Sequence, residues 1–247
     1  MWIVLCSSHD TAAMWAFEGL RRRGLAPLEL VTTEALAYSR LWEHRIGGDG
    51  AHIRIGLQDG RMLCSSRIRG ALNRVLTPAQ DLLRHAVPSD RDYAFAEMQA
   101  FYLSWLKALP GAVIGTPMPL GMSGAWLQAS EWAVKASQAG FNVPRYRQSG
   151  RDPVERGYFP LAPANSPRTS VVVLGGEVFG PPVPGAVQRA CARLARSVGT
   201  DLLGVDLYQG DRGAWLFSGA SPAPYLPDGG DALIEHMAGL LKKGECQ

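Results

Sequence analysis

The chain has 247 residues, 47% of them apolar, with 28 Gly, 17 Pro, 19% charged residues and a formal net charge of +3. That composition excludes a disordered or collagen-like chain and supports one large or two small domains around a real core. The charge is too mild and too dispersed to point to nucleic acid, and no apolar run reaches the ~18 residues of a membrane helix.

In chain order, Trp2-Ile3-Val4-Leu5 predicts a strand, and Cys6-Ser7-Ser8-His9-Asp10-Thr11 supplies oxygens able to cap a helix. Ala13, Phe17 and Leu20 then recur at helical spacing, Arg21-Arg22-Arg23 fall in the last turn and Gly24 ends it. With a second strand from Pro27 to Val31 the unit is βαβ, which predicts a parallel pair in a Rossmann-like sheet. The loop after the first strand is not GxGxxG, so NAD or FAD has no support. Alternation from His52 to Leu63 breaks at Asp59-Gly60 as in a hairpin, and Ser66 to Val75 returns to the sheet. Tyr93 to Leu109 predicts a helix with Phe95, Met98, Tyr102, Trp105 and Leu106 on one face. Ala112 to Ile114 is a short strand, and the Pro- and Gly-rich stretch Gly115 to Gly124 marks a domain boundary.

The second half starts with a helix from Ser130 to Ala139 and a strand from Phe141 to Tyr146. Residues 148–168, rich in Pro, read as a loop or linker. Thr169 to Leu174 and Glu177 to Phe179 form a hairpin across Gly175-Gly176. A helix from Ala186 to Val198, paired strands Leu202 to Tyr208 and Ala214 to Ser218, and a closing helix from Asp231 to Leu241 complete the chain.

Several residues invite a functional reading. His9 beside Asp10 at a helix start is a general base or ligand, or simply capping chemistry. Arg145 and Arg147 alternate on one face of a strand, where planar guanidinium groups would hold a carboxylate or phosphate. Ser123 and Trp126 lie on the Pro- and Gly-rich loop, a usual place for ligands or partner peptides, although Trp126 serves equally well as core. His44, His52, His85 and His236 have no second ligand at metal spacing. Cys6, Cys64, Cys191 and Cys246 share no CxxC spacing and no secretory leader precedes them, so reduced thiols in the cytoplasm are expected.

The segment "RACARLARSVGTDLLGVDLYQGDRGAWLFSGASPAP" and the helix "DALIEHMAGLL" resemble the C-terminal half of ATP-grasp ligases, especially the microviridin-type peptide ligases and their glutamate-ligase relatives. "TSVVVLGGEVFG" resembles that family's central strand pair, "ASEWAVKASQAGFNVPRY" the helix and strand entering its core, and residues 1–75 its preceding Rossmann-like domain. The resemblance implies an α/β protein with a Rossmann-like N-terminal domain over residues 1–118 and a truncated ATP-grasp-like α+β core over 119–247. It also implies Mg²⁺ ligands. The first family carboxylate falls on Asp206, whereas the E-x-N pair falls on Gly219-Ala220-Ser221, which leaves Asp206 and Ser221 as the metal candidates and one carboxylate as a poor Mg²⁺ site. Without a metal, Asp206 is a polar strand residue bonded to nearby backbone or to Arg212. The family's phosphate-binding lysines have no counterpart, since Lys107 and Lys135 lie on helices, and the stretch from Tyr146 to Thr169 is too short and Pro-rich for the family's ATP lid. The resemblance with these departures implies a diverged, non-catalytic protein that binds a peptide or protein partner in peptide modification, with no cofactor and no membrane or nucleic-acid partner. Two alternatives stay open: an ATP-dependent carboxylate-amine ligase using Mg-ATP at a rebuilt or partner-completed site, and a homo-oligomeric assembly subunit.

Overall fold

A strand covered on both faces reads as an unbroken apolar run, and Trp2–Cys6 (β1), fully buried, is such a strand. The computed structural model describes residues 1–144, 167–210 and 213–244. By internal contacts these fall into two units, one of Met1–Ser123 with Ile234–Gln247, the other of Gly124–Leu233.

In the first unit β1 lies between Leu28–Thr32 (β2) and Gly70–Asn73 (β6), and Ala112–Ile114 (β7) extends the sheet beyond β6. All three pairings are parallel, with the order β2-β1-β6-β7. The crossover from β1 is the helix Thr11–Arg22 (α1), which starts where Asp10 Oδ1 accepts the Ala13 N–H at 2.9 Å and buries Ala12, Ala13, Ala16 and Leu20. A short helix, Thr33–Ala37 (α2), follows β2. Asn73, at the end of β6, is fully buried and fully used: Nδ2 donates to the carbonyls of Gly115 (2.8 Å) and Met122 (2.6 Å), and Oδ1 accepts the Val75 N–H at 3.1 Å. Gly115 has φ +82°, and a Cβ there would strike the Asn73 carbonyl, so the close approach requires glycine.

A second sheet in this unit is antiparallel: Leu41–Gly47 (β3), Gly50–Gly56 (β4) and Met62–Cys64 (β5), in that order. The expected hairpin is β4–β5; β3 is an addition to it. The helix Arg91–Lys107 (α3) turns Tyr102, Trp105 and Leu106 into the core, while Phe95 and Met98 are only half-buried. Trp42 of β3 meets Phe101, Tyr102 and Trp105 with ring centroids 5.4 to 5.7 Å apart. The final helix, Gly230–Lys243 (α6), belongs to this unit from Ile234 onward, and the Trp2 indole donates to the Leu241 carbonyl at 3.2 Å.

The second unit is built on a four-stranded antiparallel sheet of Arg168–Leu174 (β8), Glu177–Phe179 (β9), Leu202–Gln209 (β10) and Trp215–Ser221 (β11), in the order β11-β10-β8-β9. Ala129–Gln138 (α4) packs on β11, and Gly185–Ser197 (α5) packs on β8, β9 and β10 through Ala190, Cys191, Leu194 and Ala195. Of the strand expected from Phe141 to Tyr146, the described residues show one bridge, Asn142 to Leu216, ahead of Pro144, which has no N–H to give a ladder. The expected absence of an ATP lid concerns the stretch from Tyr146 to Thr169, of which residues 146–166 lie outside the described residues. No helix among the described residues is long and apolar enough to cross a membrane.

Candidate functional site

Cross-strand register decides which side chains share a face. Asp206 of β10 stands opposite Ser170 of β8 on one side and Gly219 of β11 on the other, and Gly204 stands opposite Val172 and Ser221. Directly paired residues point the same way, so Ser170, Val172, Gly204, Asp206, Gly219 and Ser221 form one surface of the sheet. The register shifts between Asp206 and Leu207, a bulge of the kind that re-aims a side chain. Over this surface lies a cavity of about 360 Å³, closed on one side by Pro224, Tyr225 and Asp228 from the segment after β11.

The Asp206 carboxylate is engaged on both oxygens. Ser170 Oγ donates to Oδ1 at 2.7 Å, and the Arg168 guanidinium pairs with Oδ2. Arg168 itself is 62% exposed and Asp206 20%. Asp228 faces the same cavity, where burial, and secondarily the Asp206 charge, holds its carboxyl above the ordinary carboxylate range while Arg168 opposes them. Ser221 Oγ accepts the Ala223 N–H at 3.1 Å.

Mg²⁺ demands near-octahedral oxygen ligands at ~2.0 to 2.1 Å. The residues present do not fit it. Asp206 would first have to release Arg168, Gly219 offers no oxygen, and the Ser221 hydroxyl is neutral and already accepts a backbone bond. A Cβ at position 219 would come to 3.9 Å from Asp206 Oδ2, so a side chain there would start beside the Asp206 carboxylate. Among the described residues no group of three or more His, Cys, Asp or Glu side chains is placed to hold a metal ion.

Of the residues singled out in the sequence, Asp206 and Ser221 line this cavity together. Arg145 and Arg147 lie outside the described residues, as does Arg212; among the described residues Asp206 pairs with Arg168. Ser123 is buried in the first unit with no hydrogen-bond partner for its hydroxyl among the described residues, and Trp126, in the second unit, is 46% exposed. His9 is exposed after β1, where its neighbours are occupied. Asp10 caps α1 and takes Arg74 through Nε at 2.7 Å and Nη2 at 3.3 Å, and Glu34 accepts the Ser7 hydroxyl at 3.2 Å and the Ser8 N–H at 3.0 Å. Cys6 is fully buried beneath them, and burial, then the Asp10 charge, pushes its thiol up to about 12. Both influences disfavour the thiolate, the nucleophilic form. Arg168, Ser170 and Asp228 had not been singled out; the signal for the first two was the alternation of Arg-Thr-Ser just before the apolar run Val171 to Leu174.

No family model matches the chain, and no curated protein matches its sequence. Solved structures match its fold. The macrocyclase MdnC bound with the precursor peptide MdnA, from Microcystis aeruginosa, is 12% identical with a TM-score of 0.69, covering 98% of this chain and 100% of that one. A Chryseobacterium gregarium RiPP-associated ATP-grasp ligase, in complex with ADP and a leader and core peptide, is 10% identical with a TM-score of 0.68 over 98% of this chain and 96% of that one. The ATP-grasp ligase PsnB, complexed with minimal precursor, Mg and ADP, is 15% identical with a TM-score of 0.65 over 99% and 97%. The chain therefore has an ATP-grasp-like fold of mixed α/β type.

Proposed function

We propose that this chain, ATP-grasp-like in fold, is a diverged member of that architecture that binds a peptide or protein partner in peptide modification and does not itself drive ATP-dependent ligation. The observation that carries the reading is the state of Asp206: its carboxylate is neutralised by Arg168, bonded by Ser170 and set opposite a glycine. A ligase of this kind activates a carboxylate as an acyl phosphate, and metal ions bridging the phosphates neutralise the charge that develops. A guanidinium paired with the Asp206 carboxylate competes with that metal. The peptide half of the proposal is supported by the neighbours of similar fold that were solved with precursor, leader or core peptides. Fold alone does not carry activity across, so the site chemistry decides.

On this reading the parallel sheet β2-β1-β6-β7 is the Rossmann-like domain that precedes the core, and Ser123, Trp126, His9, Arg145 and Arg147 are candidate partner contacts. The unpaired thiols of Cys6, Cys64 and Cys191 accord with a cytoplasmic protein.

Calorimetric titration of Mg·ATP into the purified chain tests the central claim. The expected result is no saturable binding and no thermal stabilisation, whereas a ligand at 100 times its Kd would add about 2.7 kcal/mol. Micromolar binding that Asp206→Asn abolishes would overturn the reading and restore the carboxylate-amine ligase alternative, with Asp206 and Ser221 as the candidate ligands.

A further inference from the structure

Several arginines of this chain are neutralised by its own carboxylates: Arg21 by Glu18, Arg61 by Asp59 and Glu29, Arg74 by Asp10. Those of α5 are not. That helix, GAVQRACARLARS, holds three arginines and no acid. Arg189, Arg193 and Arg196 stand at i, i+4 and i+7 and therefore share one face, opposite the buried face of Ala190, Cys191, Leu194 and Ala195. All three are exposed, and Arg189 and Arg196 take no partner among the described residues. Like charges three and four residues apart destabilise a helix, and Arg189–Arg193 and Arg193–Arg196 are two such pairs that no acid of α5 offsets.

The middle arginine is anchored. Arg193 Nε donates to the Ala139 carbonyl just beyond α4 at 2.9 Å. Gly140 makes room for it: its φ is +90°, and a Cβ there would come to 2.7 Å from Arg193 Nη2. The neighbouring helix α4 does not supply the missing counter-charge, because its one acid, Glu131, accepts the Gln128 N–H at 2.8 Å, and Lys135 adds a further positive charge. A guanidinium fork matches a carboxylate through two parallel N–H bonds, and a held fork loses less freedom on binding than a loose one.

We propose that the outer face of α5 docks an acidic segment of a polypeptide partner, whose carboxylates lie against Arg189, Arg193 and Arg196. The three arginines span about 10 Å along the helix, the spacing of acids at i, i+4 and i+7 of a second helix. Nucleic acid is the other polyanion such a face admits, but its binders neutralise roughly 6 to 10 phosphates, which three arginines on a chain of net charge +3 do not reach. None of the three lines the Asp206 cavity. The inference rests on the partner-binding half of the function proposed above and not on its nucleotide half.

Fluorescence anisotropy on the full chain tests the face with a labelled alanine-based helical peptide carrying glutamates at i, i+4 and i+7. Saturable binding at low ionic strength that weakens with salt is expected, and none for the same peptide with glutamine in place of glutamate. Arg189→Gln combined with Arg196→Gln keeps the Arg193 anchor and should weaken binding about tenfold. The same variant should not melt below the wild type, because it relieves like-charge pairs, whereas arginines that merely held the fold would lower the midpoint. A wild type that does not bind, an unchanged affinity in the double variant, or a lowered midpoint would each overturn the proposal. So would tighter binding of a single-stranded oligonucleotide through the same two arginines, which would make the face a nucleic-acid surface. Mg·ATP takes no part in this assay, so failure here leaves the nucleotide reading standing, and Mg·ATP binding would overturn that reading without touching this one.

Discussion

Each unit holds an Arg–Asp pair, and the two differ in how much water reaches them. Arg74 and Asp10 are 6% and 17% exposed, meet through two contacts, and tie the end of β6 to the cap of α1. Arg168 and Asp206 are 62% and 20% exposed at the mouth of a cavity. The chemistry is the same and the consequence is not. Removing one partner from a dry pair strands a buried charge, whereas solvent readily replaces the lost partner of a wet pair. The first pair holds architecture. The second lies at the mouth of a cavity, where a ligand for Asp206 would have to compete with it.

The largest effect that bears on this contrast is expected from Arg74→Ala, which leaves Asp10 without its ion pair and should cost ~3 to 5 kcal/mol in urea unfolding. A loss below ~1 kcal/mol, the range of surface pairs, would erase the distinction. A smaller, pH-dependent effect is expected at Glu34 beside the first pair. Burial pushes its carboxyl up, but the bonds from its own N–H, from the Ser8 N–H and from the Ser7 hydroxyl outweigh burial and leave it below the ordinary 4.5. Its contribution is thus present above 4.5 and lost as pH falls through the depressed folded value, so the stability gap to Glu34→Gln should close on acidification. Asp228 beside the second pair should behave oppositely. Its folded carboxyl lies above the ordinary 3.8, so its contribution is present below 3.8 and lost as pH rises through the folded value. Asp228→Asn should therefore be the more stable protein at neutral pH and equal to the wild type in acid, as chemical denaturation at several pH values would show. The smallest effect belongs to Arg168→Ala, ~0 to 1 kcal/mol by the same unfolding assay. A loss as large as that of Arg74→Ala would make both pairs architectural.

Strands with both faces covered were legible because apolar runs such as Trp2 to Leu5 and Val171 to Leu174 admit few other placements. The edge strand β3 was not, since its Glu, His and Arg dilute the alternation and Ile46 points to water. The α3 stripe was legible at Tyr102, Trp105 and Leu106; toward the N-terminal end, Phe95 and Met98 lose cover although the spacing continues. At the candidate site, Asp206 stood out through its family resemblance, but its partners did not. Arg168 and Ser170 reach Asp206 through a β8–β10 register that joins residues more than thirty positions apart, which no local pattern encodes.

Gly219 has a genetic consequence. Its backbone is not in the left-handed region that would demand glycine, and a Cβ there meets nothing closer than the Asp206 oxygen at 3.9 Å. A single base change in a GGA or GGG codon would write glutamate at that position and set a second carboxylate beside the first. The fold does not impose the glycine, and the mutational distance between this site and one with two acids is one nucleotide.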